Sequence, residues 1–397
     1  VHRQVRRLAA LLALAVPISL IGRAGATWGA APAATVPPRE PHHFETSPLA
    51  LDRADVERSE SAVVLVVLDG VRWQDVFGGA DRAIAHQHGL DHPPWPSARA
   101  LMPNLHRALD RGDGVAIGAS DRGPQIAASG PQFISMPGYL EIFAGKPDRG
   151  CYTNVCDRPP ERTIADDVRD ASGPGDVAVI CSWPNIARAA SAEPSGFVVS
   201  AGRELLERAD VLRADAKTAS LLDDGARVGA FPGEGDYRPD RYTARVALRY
   251  LETARPRFLF VGLGDADEYG HRNDYRRYLE ALHASDAFLG DLAATLGRMG
   301  ARGRHTTVLV TADHGRAYDF RDHGPTHPES GRVWLFAEGD DVRGHAGGAA
   351  AIGASGSTGP RRYTLSNVAP TVRALLGIAA DESEAGEGQP IAEIAGR

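Results

Sequence analysis

An adjacent carboxylate and imidazole, Asp313-His314-Gly315, close the apolar run Thr306-Thr307-Val308-Leu309-Val310-Thr311-Ala312. Both side chains ligate zinc or manganese. The same grammar recurs elsewhere. Ala62-Val63-Val64-Leu65-Val66-Val67-Leu68 stops at Asp69-Gly70, and Phe258-Leu259-Phe260-Val261-Gly262-Leu263 runs on to Asp267 and His271. Four residues apart, Asp267 and His271 share one helical turn and can hold one ion between them. Ser135, with Pro137 and Gly138 behind it, opens a further helical pattern that stops at Gly145. A hydroxyl there is either an N-cap or a nucleophile, because a helix N-terminus attracts anions. Each group alone has an ordinary reading as a capping Asp, a turn Asp or a surface His. Their repetition at the ends of apolar runs points to a divalent-metal site instead.

The elements that position these groups follow from hydrophobic period. Continuous apolar runs bounded by turn signals are strands buried on both faces, as in a parallel sheet, and such sheets place ligands at the carboxyl ends of their strands. Asp176 to Cys181, Gly196 to Ser200 and Arg332 to Ala337 read as further strands, with Val115 to Ala119 strand-like. Helices are expected from Met102, over Arg241 to Thr253, Tyr275 to Met299 and Leu365 to Leu376, the last stopped by Gly377. Alternation of strand and helix gives an α/β fold with a mostly parallel central sheet. The less regular stretch 183–240 is expected to be a small cap insertion over the catalytic edge. Residues 338–360 read as a Gly-rich loop, and 381–397 as a C-terminal tail.

At 397 residues the chain can bury a large core, and 43% apolar against 24% charged excludes disorder as its main state. A net charge of -7, with no basic block beyond the N-terminus, excludes nucleic acid as a partner. Arg3, Arg6 and Arg7 precede an apolar run from Leu8 to Ile21, and Ala24-Gly25-Ala26 offers small residues for cleavage. This reads as a signal peptide over 1–26, too short for a comfortable membrane span, followed by a Pro/Ala-rich linker over 27–60. An uncleaved anchor is the alternative. The mature protein is therefore expected in the periplasm or medium. Of the three cysteines, either Cys151–Cys156 or Cys156–Cys181 can pair in an oxidising compartment, and spacing does not choose.

Strand-Asp69-Gly70, Ser135-x-Pro137 before a helix, Asp267-x-x-x-His271, Asp313-His314-Gly315 and a later His-Gly come in one order. In this the chain resembles the alkaline phosphatase superfamily over roughly residues 60–380. That group holds nucleotide pyrophosphatase/phosphodiesterases, sulfatases and cofactor-independent phosphoglycerate mutases. The local phrases are most similar to secreted bacterial members described as phosphoglyceromutase-like. The resemblance implies a three-layer α/β/α sandwich and a catalytic domain over 61–380.

It also implies two divalent cations, zinc or manganese. One would be held by Asp267, His271 and a distal His, and the other by Asp69, Asp313, His314 and Ser135. His323 is preferred as the distal ligand because its His-Gly precedes the last strand, with His327 as the alternative. Asn154 falls where phosphodiesterase members carry an Asn against a phosphoryl oxygen. The implied activity is hydrolysis of a phosphoric monoester or diester through a phospho-enzyme at Ser135. The substrate would be a phosphorylated small molecule or envelope component. A phosphotransferase or mutase on the same scaffold is the alternative, and a non-catalytic binding protein a more distant one. Sulfatase activity is disfavoured, since the formylglycine motif needs Arg where this chain has Tyr139.

Overall fold

The computed structural model describes residues 61–90, 96–120, 123–340, 342, 361–379 and 388–395. The expected signal peptide, the linker and most of the Gly-rich loop lie outside these residues. Strand β1 (Ala62–Leu68) runs through the middle of the molecule with every residue buried, which requires cover on both faces. Around it lie β2 (Gly114–Ile117), β4 (Val177–Cys181), β5 (Val198–Ala201), β6 (Leu205–Glu207), β7 (Phe258–Leu263), β8 (Thr306–Thr311) and β10 (Leu335–Glu338). They form one eight-stranded sheet in the order β2-β10-β8-β1-β7-β4-β5-β6. From β8 to β5 the neighbours are parallel, while β10 and β6 join antiparallel. Strands β3 (Gln125–Ala127), β9 (Arg332–Val333) and β11 (Arg362–Thr364) make a separate small sheet.

Two groups of helices cover the large sheet. Ser135–Ala144, Ile164–Ser172 and Val368–Leu376 pack together, the last against β1. Pro103–Arg111, Asp240–Ala254 and Tyr275–Arg298 form the second group, with Asp240–Ala254 seated on β7 and β4. This is the expected mostly parallel α/β architecture.

Three expectations change in detail. The stretch 183–240 is not wholly an insertion. It supplies β5 and β6 to the sheet itself, beside the helices Ala209–Ala214 and Ala216–Arg227. The last strand divides at buried Trp334, with β9 in the small sheet and β10 in the large one. The described part of the tail is docked. Ile391 and Ile394 are buried, and the Ile391 N–H donates to Thr371 Oγ1 at 2.9 Å. Cys151 and Cys156 form the disulfide, and Cys181 stays a buried thiol in β4. Among the described residues no helix is long and apolar enough to cross a membrane.

Candidate metal centre and nucleophile

Register brings the chemistry together. Val67 lies beside Thr311, and Leu68 beside Leu263. The chain therefore leaves β1, β8 and β7 at one sheet edge, delivering Asp69, Asp313-His314 and the Asp265–His271 helix to the same place. Gly70 turns the chain sharply after Asp69 at φ 61°, a conformation that favours glycine, and its N–H donates to Asp313 Oδ1 at 3.1 Å. Gly138 makes the opposite approach possible. A Cβ there would run into the Asp313 backbone, so only glycine lets the Ser135 helix pack this closely on the end of β8.

Ser135 is buried and occupies the first turn of the helix Ser135–Ala144. Ile134, not Ser135, is the N-cap residue, and no side chain caps the helix. The capping reading is thus removed. The hydroxyl points at the cluster instead, 3.4 Å from Asp69 Oδ1 and 3.3 Å from His314 Nε2. Asn154 reaches the same helix end, its Oδ1 accepting the Met136 N–H at 3.0 Å. The disulfide brackets the turn that carries it.

Asp69 and Asp313 flank His314, whose Nε2 lies 3.4 Å from Asp69 Oδ1 and 3.5 Å from Asp313 Oδ2. Across the site, His271 Nε2 sits 3.1 Å from Asp267 Oδ2 and 3.1 Å from His323 Nε2, with His323 3.9 Å from Asp267 Oδ1. Donor atoms of Asp69, Asp313 and His314 fall within 4.8 Å of one another, as do those of Asp267, His314 and His323. His314 therefore stands within reach of both halves, stacked on His323 with ring centroids 4.0 Å apart. His327 is elsewhere. Its Nδ1 faces Glu329 at 3.8 Å, and its backbone braces the loop.

Electrostatics favour cations here. Burial, reinforced by the charge of Asp267, pushes the Asp69 carboxyl up to about 7. Asp313 rises well above the usual carboxylate range for the same reason, with Asp69 and Asp267 repelling it. Asp313 Oδ2 is buried with no hydrogen-bond partner, an expensive state for a carboxylate oxygen unless a cation meets it. Burial lowers His314 to about 4 and His323 to about 3, so both rings are neutral near pH 7 with lone pairs to offer. For Asp267, burial works upward but the adjacent Arg316 and His271 outweigh it and hold the carboxyl well below its ordinary range. Neutral imidazoles, an orphaned carboxylate oxygen and no thiolate fit hard or borderline divalent ions.

Two residues with a part in the site were not assigned one from the sequence. Arg316 is buried and pairs with Asp267 Oδ1, while its Nη2 donates to the Arg321 carbonyl at 2.6 Å. Tyr139 is buried and donates its hydroxyl to Asp69 Oδ2 at 3.1 Å. The only signal for Arg316 was its place after Asp313-His314-Gly315, and arginine there reads as surface.

Residues 236–380 match the Metalloenzyme superfamily. The 2,3-bisphosphoglycerate-independent phosphoglycerate mutase of Haloarcula marismortui is 29% identical over 188 residues, 43% of this chain and 33% of that enzyme. The Helicobacter pylori mutase is 26% identical over 150 residues, covering 36% of this chain and 26% of its own length. The aligned stretch is thus a third or less of these relatives. In fold, a 2-O GAG sulfatase superposes with a TM-score of 0.50 at 13% identity, over 82% of this chain and 72% of its own. A sulfatase-type protein of Bacteroides thetaiotaomicron superposes equally, with a TM-score of 0.50 at 12% identity, over 82% of this chain and 73% of its own.

The family match and the mutase similarity agree with the alkaline phosphatase resemblance carried by the motifs. As the metalloenzyme match leads one to expect, the chain carries candidate ligand clusters at the sheet edge where its β1 and β8 carboxylates emerge.

Proposed function

We propose that the protein is an exported, metal-dependent hydrolase of phosphoric esters in which Ser135 is the nucleophile. The observation that carries this is the placement of the Ser135 hydroxyl. It is buried at a helix N-terminus, free of any capping bond, and within 3.4 Å of both Asp69 and His314. Asp69, Asp313 and His314 would hold one divalent ion beside Ser135, and Asp267, His271 and His323 a second. Such ions lower the pKa of a hydroxyl and screen the charge of a phosphoryl group. Zinc or manganese suits the donor set.

The chain's own residues supply the rest. The first turn of the Ser135 helix presents its positive end to an arriving phosphoryl anion. Asn154 engages Met136 through Oδ1, leaving its amide nitrogen as a donor for a phosphoryl oxygen. Ser135 Oγ forms the new bond to phosphorus as the ester oxygen leaves with its electron pair, and water later cleaves the Ser135 phosphoester. Tyr139, standing where the formylglycine motif needs Arg, favours this reading over sulfatase chemistry. The substrate is a phosphorylated small molecule or an envelope component, and export follows from the pattern of residues 1–26.

The similarity to mutases favours a second reading, in which Ser135 passes the phosphoryl group to an acceptor alcohol. Metal analysis paired with hydrolysis of p-nitrophenyl phosphate and bis-p-nitrophenyl phosphate tests both. Chelator-sensitive release of p-nitrophenol without an acceptor supports the hydrolase. Turnover only with an added alcohol supports the transferase, and turnover indifferent to chelator sinks both. Sequencing the N-terminus of protein from its host tests export, with cleavage near Ala26 expected.

A further inference from the structure

Asp69 and Asp313 each have one oxygen engaged by the protein and the other turned to the shared centre, and Asp267 has one oxygen held by an arginine. Asp69 Oδ2 accepts the Tyr139 hydroxyl, while Oδ1 faces Ser135 and His314. Asp313 Oδ1 accepts the Gly70 N–H, while Oδ2 faces His314 with no hydrogen bond of its own. Asp267 Oδ1 is paired with Arg316 and lies 3.9 Å from His323 Nε2, while Oδ2 faces His271. The imidazoles follow suit. His314 Nδ1 lies 2.8 Å from the Gly315 carbonyl and His323 Nδ1 3.0 Å from that of Phe133, so each presents Nε2.

Two of these locks are side chains built in deliberately. Tyr139 is fully buried and rides on the same helix as Ser135, so one rigid element sets both the hydroxyl and Asp69. The Arg316 guanidinium lies where a Cβ on Gly70 or Gly270 would collide with it. It is also gripped by the carbonyls of Phe320 and Arg321. Phe320 itself adopts φ 65° and is buried against Tyr275 and Tyr278.

We propose that Tyr139 and Arg316 are positioning residues that confine Asp69 and Asp267 to one-oxygen ligation, and so bias the centre toward ions of low coordination number and against calcium. This rests on the metal-dependent reading above. Calcium takes six to eight oxygens and commonly claims both oxygens of a carboxylate, whereas zinc is satisfied by about four donors. Three protein donors on each side, with Ser135 beside the Asp69 half, match the smaller demand. Removing the Tyr139 hydroxyl would release Asp69 Oδ2 to the ion and let calcium gain relative to zinc.

The test is competition between zinc and calcium for the chelator-stripped protein, read by equilibrium dialysis with elemental analysis. Wild type should take up zinc and discriminate against calcium. Tyr139→Phe should keep the melting temperature of the stripped protein while its zinc-to-calcium affinity ratio falls about tenfold or more, the usual scale for losing such a partner. Arg316→Lys keeps the charge without the fork and should move the ratio the same way. An unchanged ratio in folded Tyr139→Phe overturns the proposal. Should that variant fail to fold, an unchanged ratio in Arg316→Lys does so. Wild type that binds neither ion would instead remove the metal-dependent reading, and this proposal with it.

Discussion

The two halves of the site are built from different materials. Asp69, Asp313 and His314 leave the ends of adjacent central strands and are buried, with Asp69 and His314 against Ser135. Asp267 and His271 lie on a seven-residue helix, and His323 on a loop beyond β8, with the His271 side chain 48% exposed. Rigid strand ends suit the half that must hold a nucleophile within a few tenths of an ångström. The helix-and-loop half is reachable from solvent, so an ion or a water enters and leaves there more readily.

That contrast is open to direct attack. Ser135→Ala should reduce turnover roughly 10³-fold or more, as loss of a covalent nucleophile commonly does. Because Ser135 makes no capping bond, melting temperature and metal content should stay near wild type. Normal turnover in that variant would refute the assignment of the strand-end half as the reacting one. His271→Ala should next remove one of two bound ions while the Asp69/Asp313/His314 half keeps its own. Elemental analysis showing both ions lost would mean the halves do not load independently.

A milder effect is expected from pH. Burial pushes Asp69 up to about 7 and Asp313 well above the ordinary carboxylate range, and His271 is raised by the Asp267 carboxylate beside it. Protons therefore compete with cations at neutral pH, so affinity should rise as pH rises through 7 and binding should release protons. Calorimetry in buffers of different ionisation enthalpy reads this, and a pH-independent affinity would contradict it. The smallest effect belongs to His327→Ala, which should leave metal content unchanged, since that ring faces Glu329 rather than the cluster.

Much of the strand-end half is legible in the sequence because strands buried on both faces must be apolar throughout. The point where such a run meets Asp69 or Asp313 then marks the sheet edge. The helix-and-loop half is legible only as spacing, from Asp267 to His271, with two histidines competing for the third place. What stays hidden depends on single-residue offsets or on tertiary partners. Ser135 and Ile134 differ by one position in their claim to cap the helix, and a propensity pattern does not resolve that. Strand β6 is three residues long and lies in a polar stretch, so its place in the sheet comes from pairing with β5 rather than from its own period. Arg316 and Tyr139 gain their roles from groups far away in the chain.

The sheet's two margins carry a consequence of their own. An open eight-stranded sheet exposes unpaired backbone at both rims, the usual route to pairing between copies. Here β2 is four residues long and β6 only three, and β6 is bordered by Arg203, Glu204 and Arg208 and ends on Glu207. A second molecule extending the sheet at β6 would gain few hydrogen bonds and would have to dehydrate charged groups to make them. The large sheet therefore offers β6 as a poor seed for aggregation, which favours a chain that stays dispersed at high local concentration.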